Sequence, residues 1–326
     1  MSAEMVSRPG ATRREFLGLA GWAALAALPV ARLSAEAAAG SPSAARAGFA
    51  RTGAPRLRLS LAAYSFRDYF PIVRGRPNAR VPAGRAIDLA RFVDVCAEHG
   101  CEGAELTSYF VADEGDAAAI ALRRHCFLRG VSVSGTAIGN NFSHPAGPRR
   151  EAEIAQTKRW IDWAALLGAP HVRVFAGVTT EQSREAADRD VISALEECGE
   201  YAGRRGIFLG LENHDSIGSA STLLPMVRAV RSPWVGVNLD SGNFRTDDPY
   251  RDFAECVPYA VNVQIKTDLT HARNGASARP ADFRRLARLL RDGGYQGWVA
   301  LEYESSEDPW TAVPRLLGEL GQALRA

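Results

Sequence analysis

The sequence predicts a (β/α)8 barrel, and three observations lead there. After residue 56, short β-like apolar runs alternate eight times with longer helical ones. Gly or Pro stands where a helix must stop before the next strand, at Gly100, Gly130, Gly168, Gly206, Pro233, Pro258 and Gly293-Gly294. Eight such units over about 270 residues match the size of a closed parallel barrel covered by helices. A doubly wound open sheet is the alternative, but no GxGxxG fingerprint follows the first strand.

Taken in order, the strands are expected at 57–65, 103–106, 131–138, 171–176, 207–212, 234–239, 260–266 and 297–303. The helices between and after them are expected at 85–99, 116–129, 149–167, 180–204, 220–230, 250–256, 280–292 and 309–324. In the third helix Ile154, Trp160, Ile161, Ala164 and Leu167 form an apolar stripe at helical spacing. Trp160 and Trp163 therefore read as packing residues rather than as a sugar platform.

The barrel domain, 56–326, follows a different kind of sequence. Arg13 and Arg14 precede Glu15-Phe16-Leu17 and an apolar run that ends near Ala31. That run is shorter than the about 20 residues that cross a bilayer. Ala35-Glu36-Ala37 and Ala37-Ala38-Ala39 then offer small residues to a peptidase. Charged start, apolar middle and small-residue end make residues 1–40 a secretory signal, and the paired arginines resemble the bacterial twin-arginine signal. The expected protein is exported, periplasmic or extracellular, with no stable membrane anchor once processed; an uncleaved anchor is the alternative. Residues 41–55, rich in Ser, Ala, Gly and Pro, read as a flexible linker.

Composition narrows the function. Of 326 residues, 46% are apolar and 23% charged, which suits a soluble domain with a large core. The net charge of +2, with no basic stripe among aromatics, argues against a nucleic-acid partner. The five cysteines form no CxxC pair, and an odd number leaves at least one thiol unpaired.

Chemistry in such a barrel sits at the C-terminal ends of the strands. There the chain places Glu105, Glu212 followed by Asn213-His214, Asp240, Gln264 with Lys266, and Glu302 with Glu304. Acids that close apolar strands are costly to bury unless paired or metal-bound. Several at one mouth would repel one another, and a divalent cation with oxygen ligands relieves that. Asp240, before Ser241-Gly242, could instead be a helix N-cap, and each of the others a rim salt bridge. His214, two residues after Glu212, points the same way. It, Lys266, and His144 on the loop after the third strand are candidate substrate-binding residues, with structural hydrogen bonds or salt bridges as the alternative. Arg173 and Glu105 read as residues that hold the barrel together.

Six segments carry a family likeness: Gly103-Ala104-Glu105-Leu106, Arg173-Val174-Phe175, Leu211-Glu212-Asn213-His214, Asn238-Leu239-Asp240-Ser241-Gly242, Val263-Gln264-Ile265-Lys266-Thr267-Asp268 and Ala300-Leu301-Glu302-Tyr303. With them, residues 57–325 resemble the sugar phosphate isomerase/epimerase superfamily of xylose-isomerase-like barrels. The resemblance implies one divalent metal, Mn2+ or Mg2+ before Co2+ or Zn2+, held by Glu212, Asp240, Gln264 and Glu302. It makes Glu212 and Glu302 the acid/base pair that trades a proton across a metal-stabilised enediolate. Gln264 and Asn243 stand where relatives show His, which argues against the three-zinc nuclease branch.

The expected substrate is a small free sugar or keto-sugar, since no phosphate cradle is evident. The expected activity is a metal-dependent isomerase or epimerase. A metal-dependent lyase or hydrolase on keto-glycosides, or a non-catalytic sugar-binding barrel, are the alternatives, and a homo-oligomer is compatible with all three.

Overall fold

The computed structural model describes residues 47–271 and 277–326. The expected signal segment lies outside the described residues. Of the expected linker, residues 47–55 are described and are docked rather than free. The backbone N–H of Phe49 donates to the carbonyl of Pro258 at 2.8 Å. The Phe49 ring meets that of Phe208 edge-on at 5.7 Å. Among the described residues no helix is long and apolar enough to cross a membrane.

Eight parallel strands close on themselves: β1 (Arg56–Ala62), β2 (Gly103–Thr107), β3 (Ser132–Ala137), β4 (His171–Val174), β5 (Phe208–Glu212), β6 (Val235–Asp240), β7 (Ala260–Lys266) and β8 (Gln296–Glu302). β8 completes the barrel against β1, with Leu57 opposite Gly297 and Leu61 opposite Leu301. Eight helices alternate with the strands: α1 (Leu89–Glu98), α2 (Asp116–Leu128), α3 (Pro148–Leu167), α4 (Arg184–Gly203), α5 (Ala220–Ala229), α6 (Pro249–Cys256), α7 (Phe283–Asp292) and α8 (Pro309–Arg325). The expected fold class is the observed one.

Helix starts follow local chemistry. Asp88, Ser183, Ser219, Asp248, Asp282 and Asp308 each accept a backbone N–H from the first turn, at the starts of α1, α4, α5, α6, α7 and α8. At the other end of α3, Gly168 sits at φ 83°, a left-handed stop that a side chain would strain. Asp240 caps no helix: its Oδ1 accepts the N–H of Gly242 in a turn directly after β6.

Alternation along the strands sorts side chains into two layers. Val263 and Ile265 of β7 join the continuous apolar core, whereas Asn262 and Gln264 reach inside the barrel to Glu105 of β2. Ser60 and Ser134 share a 2.6 Å hydrogen bond inside the barrel, although β1 and β3 are not neighbours. All five cysteines are buried and unpaired. Two short hairpins were not anticipated: Ile72–Val73 with Arg76–Pro77 after β1, and Asp268–His271 with Ser277–Pro280 after β7.

Candidate active site

At the C-terminal ends of the strands lies a cavity of about 420 Å3. Tyr64, Arg74, Tyr109, Arg173, Glu212, His214, Lys266, Glu302 and Glu304 are among its lining residues. Of the strand-end residues singled out in the sequence, Glu212, His214, Lys266, Glu302 and Glu304 line it, and Glu105, Asp240 and Gln264 do not.

Glu212 ends β5 between a guanidinium and an amide. The guanidinium Nε of Arg173 lies 2.8 Å from its Oε2, and the Asn243 amide donates to its Oε1 at 2.7 Å. Burial pushes the Glu212 carboxyl up from the usual range, while Arg173 opposes that shift. Arg173 is tied in turn to the Ile138 carbonyl at 2.7 Å. Burial favours its neutral form, but Glu212, Tyr109 and Glu302 together outweigh that and raise its pKa.

The opposite side of the mouth is organised by Lys266, at the end of β7. Its ammonium lies 3.3 Å from Asp240 Oδ2, 3.6 Å from Glu302 Oε2 and 3.3 Å from Glu304 Oε2. It also donates to Asn243 Oδ1 at 3.1 Å, so Asn243 bridges the two halves. Burial alone would lower the Lys266 pKa, but Asp240, Glu302 and Glu304 raise it. The Glu302 carboxyl is pushed well above the usual range by burial, with Lys266 pulling the other way.

Beneath Lys266 lies a layer of amides. Asn262 and Gln264 donate to the two oxygens of Glu105 at 2.7 and 2.6 Å. Gln264 Nε2 also approaches Glu302 Oε1 at 3.3 Å, while its Oε1 accepts from Asn238. Burial raises the Glu105 carboxyl to about 7 despite these donors. Through these bonds Glu105 ties β2 to β7 across the barrel.

All four side chains expected to hold a metal, Glu212, Asp240, Gln264 and Glu302, come to the same end of the barrel. As placed, they do not fit a divalent ion. The Gln264 amide oxygen is taken by Asn238, and the Asp240 and Glu302 carboxylates face an ammonium. A divalent cation needs several oxygens at about 2.0–2.6 Å, and here it would have to sit beside Lys266. Among the described residues no three His, Cys, Asp or Glu side chains group to hold a metal ion.

His214 lines the mouth, with its ring 4.7 Å from that of Phe175 and its Nδ1 2.9 Å from Asp215 Oδ2. His144 does not line it. Its loop folds locally instead, through the Asn141 side-chain Oδ1, which accepts from both the N–H and the hydroxyl of Ser143. Sequence reasoning missed Tyr64, Arg74 and Tyr109. The two tyrosines sit within two residues of strand ends, a position worth reading in any barrel. Arg74 has no such signal: it holds φ 52° in a short hairpin and places its guanidinium 4.1 Å from the Tyr109 ring.

A closed parallel barrel with acids, amides and bases gathered at one mouth defines a (β/α)8 protein with an enzyme-like site. The chain belongs to the xylose isomerase-like TIM barrel family, whose sequence profile matches residues 93–320. No curated protein sequence matches it. Among solved structures it is similar to 3-keto-D-glucoside 4-epimerase from E. coli, at 16% identity over 82% of this chain and 100% of that one, with a TM-score of 0.62. It is also similar to D-psicose 3-epimerase from Clostridium cellulolyticum with D-tagatose, at 14% identity over 82% and 97%, TM-score 0.61. A third is a xylose isomerase-like TIM barrel protein from Mycobacterium smegmatis in complex with magnesium, at 21% identity over 82% and 97%, TM-score 0.62. At these identities the likeness is one of fold.

Proposed function

We propose that this chain is a sugar isomerase or epimerase that moves a proton next to a carbonyl. One observation supports it above the rest: two strand-end glutamates flank the mouth in unequal electrostatic settings. Glu212 is held against a guanidinium at 2.8 Å, which favours its carboxylate. The Lys266 ammonium is 3.6 Å from Glu302, which leaves that group readier to hold a proton. Glu212 takes a proton from carbon, Glu302 returns one, and Lys266 and His214 bind substrate oxygens.

The epimerases among the similar structures favour the same chemistry on a free or oxidised sugar. One feature favours a second reading, a lyase acting on keto-glycosides. A side cavity of about 670 Å3 shares Arg74, Tyr109 and Gly139 with the mouth. That is room for an aglycone beside the reacting ring.

The test is proton exchange in deuterated water, followed by NMR, over a panel of ketoses and keto-glucosides. Deuterium should enter next to the carbonyl, and Glu212→Gln and Glu302→Gln should each lower the rate by about 10²–10⁴-fold. Release of the aglycone without interconversion of free ketoses would choose the lyase. Binding without exchange on any sugar would sink both readings in favour of a non-catalytic sugar-binding barrel.

A further inference from the structure

The disagreement between the donor set and a metal leads further. We propose that the ammonium of Lys266 is the resident cation of this mouth, in place of a divalent ion, so that the site works with metal removed. The proposal rests on the sugar isomerase or epimerase reading for its chemistry, but on geometry alone for the cation.

Three observations carry it. Lys266 Nζ has four oxygens around it at 3.1–3.6 Å, from Asp240, Asn243, Glu302 and Glu304. These are hydrogen-bond and ion-pair distances, and two of the four oxygens belong to Asp240 and Glu302, which end strands expected to supply a metal's ligands. Second, the lysine is held there. Its backbone N–H donates to Ser241 Oγ at 2.9 Å, and its stem packs against Gly242, where an added Cβ would lie 2.6 Å from Lys266 Cδ. The lysine side chain is only 14% exposed. Third, the neutral side chains beside it are used as amides: Gln264 spends its oxygen on Asn238 and its amine side on Glu105 and Glu302, and Asn243 joins Lys266 to Glu212. Gln264 turns no free lone pair to the centre of the acids, and the one that Asn243 turns there is taken by the ammonium.

An ammonium can do the work asked of the site. When Glu212 takes the proton from carbon, the C–H electron pair becomes the enediolate and the charge comes to rest on the former carbonyl oxygen. A fixed cation within hydrogen-bond reach stabilises that oxygen. Glu302 then delivers a proton to carbon, leaving Glu212 protonated and Glu302 ionised, and exchange with water resets both. No oxidant or co-reactant is needed.

The test measures metal and turnover separately. The full-length protein, purified and dialysed against EDTA, is subjected to elemental analysis and then titrated with Mn2+ by calorimetry. The wild type should hold no stoichiometric metal and show no Mn2+ site, and Lys266→Arg should behave likewise. Lys266→Gln should gain a Mn2+ site at least about tenfold tighter than the weakest binding the titration detects, the least expected when a like charge a few ångströms away is removed at an effective dielectric of about 20. A wild type that retains one metal per chain, or binds one Mn2+ at a site lost in Glu302→Gln, overturns the proposal. So does a folded Lys266→Gln with no gain in affinity. If no sugar exchanges deuterium with or without Mn2+, the isomerase or epimerase reading falls, while the metal measurements still decide the cation.

Discussion

The two halves of the mouth neutralise their acids differently. On the β4–β5 side, one guanidinium meets one carboxylate: Arg173 on Glu212 at 2.8 Å, with both side chains less than a tenth exposed. On the β6–β8 side, one ammonium is shared among Asp240, Glu302 and Glu304 at 3.3–3.6 Å. The first is a closed pair with little charge left over. The second keeps an excess of negative charge around a single cation, and no acid there owns its partner. A carboxylate poised to take a proton and a carboxyl poised to give one are what a proton-trading pair requires. Asn243, bonded to both halves, keeps them in register.

The contrast is broken most severely by removing Arg173. Arg173→Met leaves Glu212 buried without its partner, which should cost about 3–5 kcal/mol of stability. Urea unfolding at neutral pH measures it. The double variant Arg173→Met/Glu212→Gln should recover much of the loss, because the uncompensated charge is then gone. If the single variant is as stable as wild type, the closed-pair description fails.

A smaller effect comes from the floor under the same half. His171 lies two residues before Arg173 on β4 and points the same way. Its ring fills the space left by Gly135, where an added Cβ would fall 1.9 Å from the imidazole Cε1. Burial lowers the His171 pKa from 6.5 to about 3, and the nearby Arg173 charge adds to the shift. Between those values the unfolded chain holds a proton that the folded chain does not, so stability must fall as the pH falls through that window. At about 1.4 kcal/mol per unit, the loss should reach about 2 kcal/mol by pH 5. Unfolding midpoints at pH 7, 6 and 5 in wild type and His171→Gln would show it, and equal slopes in the two proteins would remove His171 as the cause.

Much of this was legible in the sequence. Gly and Pro punctuation between apolar runs gave eight βα units, and acids at strand ends gave the mouth, because both are local patterns. Caps corrected the boundaries: α1 begins at Leu89 rather than 85 because Asp88 accepts the Arg91 N–H, and α4 begins after Ser183 for the same reason. β4 ends at Val174 because the Phe175 N–H donates to the Asn140 side chain instead of a neighbouring strand. What each acid faces was not legible. Repulsion among acids can be relieved by a metal or by a basic side chain, and residue order along one strand does not say which. Arg173 was read as scaffold, and it also holds a proposed catalytic group. His144 was placed at the mouth because loops overhang it, but the direction of a loop depends on tertiary contacts that its sequence does not reveal.

The mildest change should come from trimming the shared cluster at its wet edge. Glu304 is 38% exposed and is one of three acids on Lys266. Removing its charge leaves the ammonium with Asp240 and Glu302, and an exposed pair of this kind is worth only about 0.2–1 kcal/mol. Glu304→Gln should therefore unfold within about 1 kcal/mol of wild type by urea titration. That loss is several-fold smaller than for Arg173→Met, although each variant removes one member of an ion pair at the same mouth. A loss as large as that of Arg173→Met would mean that Lys266 depends on Glu304 as Glu212 depends on Arg173. The cluster would then be a second closed pair, and Glu302 would lose the electrostatic freedom that its proton-returning role requires.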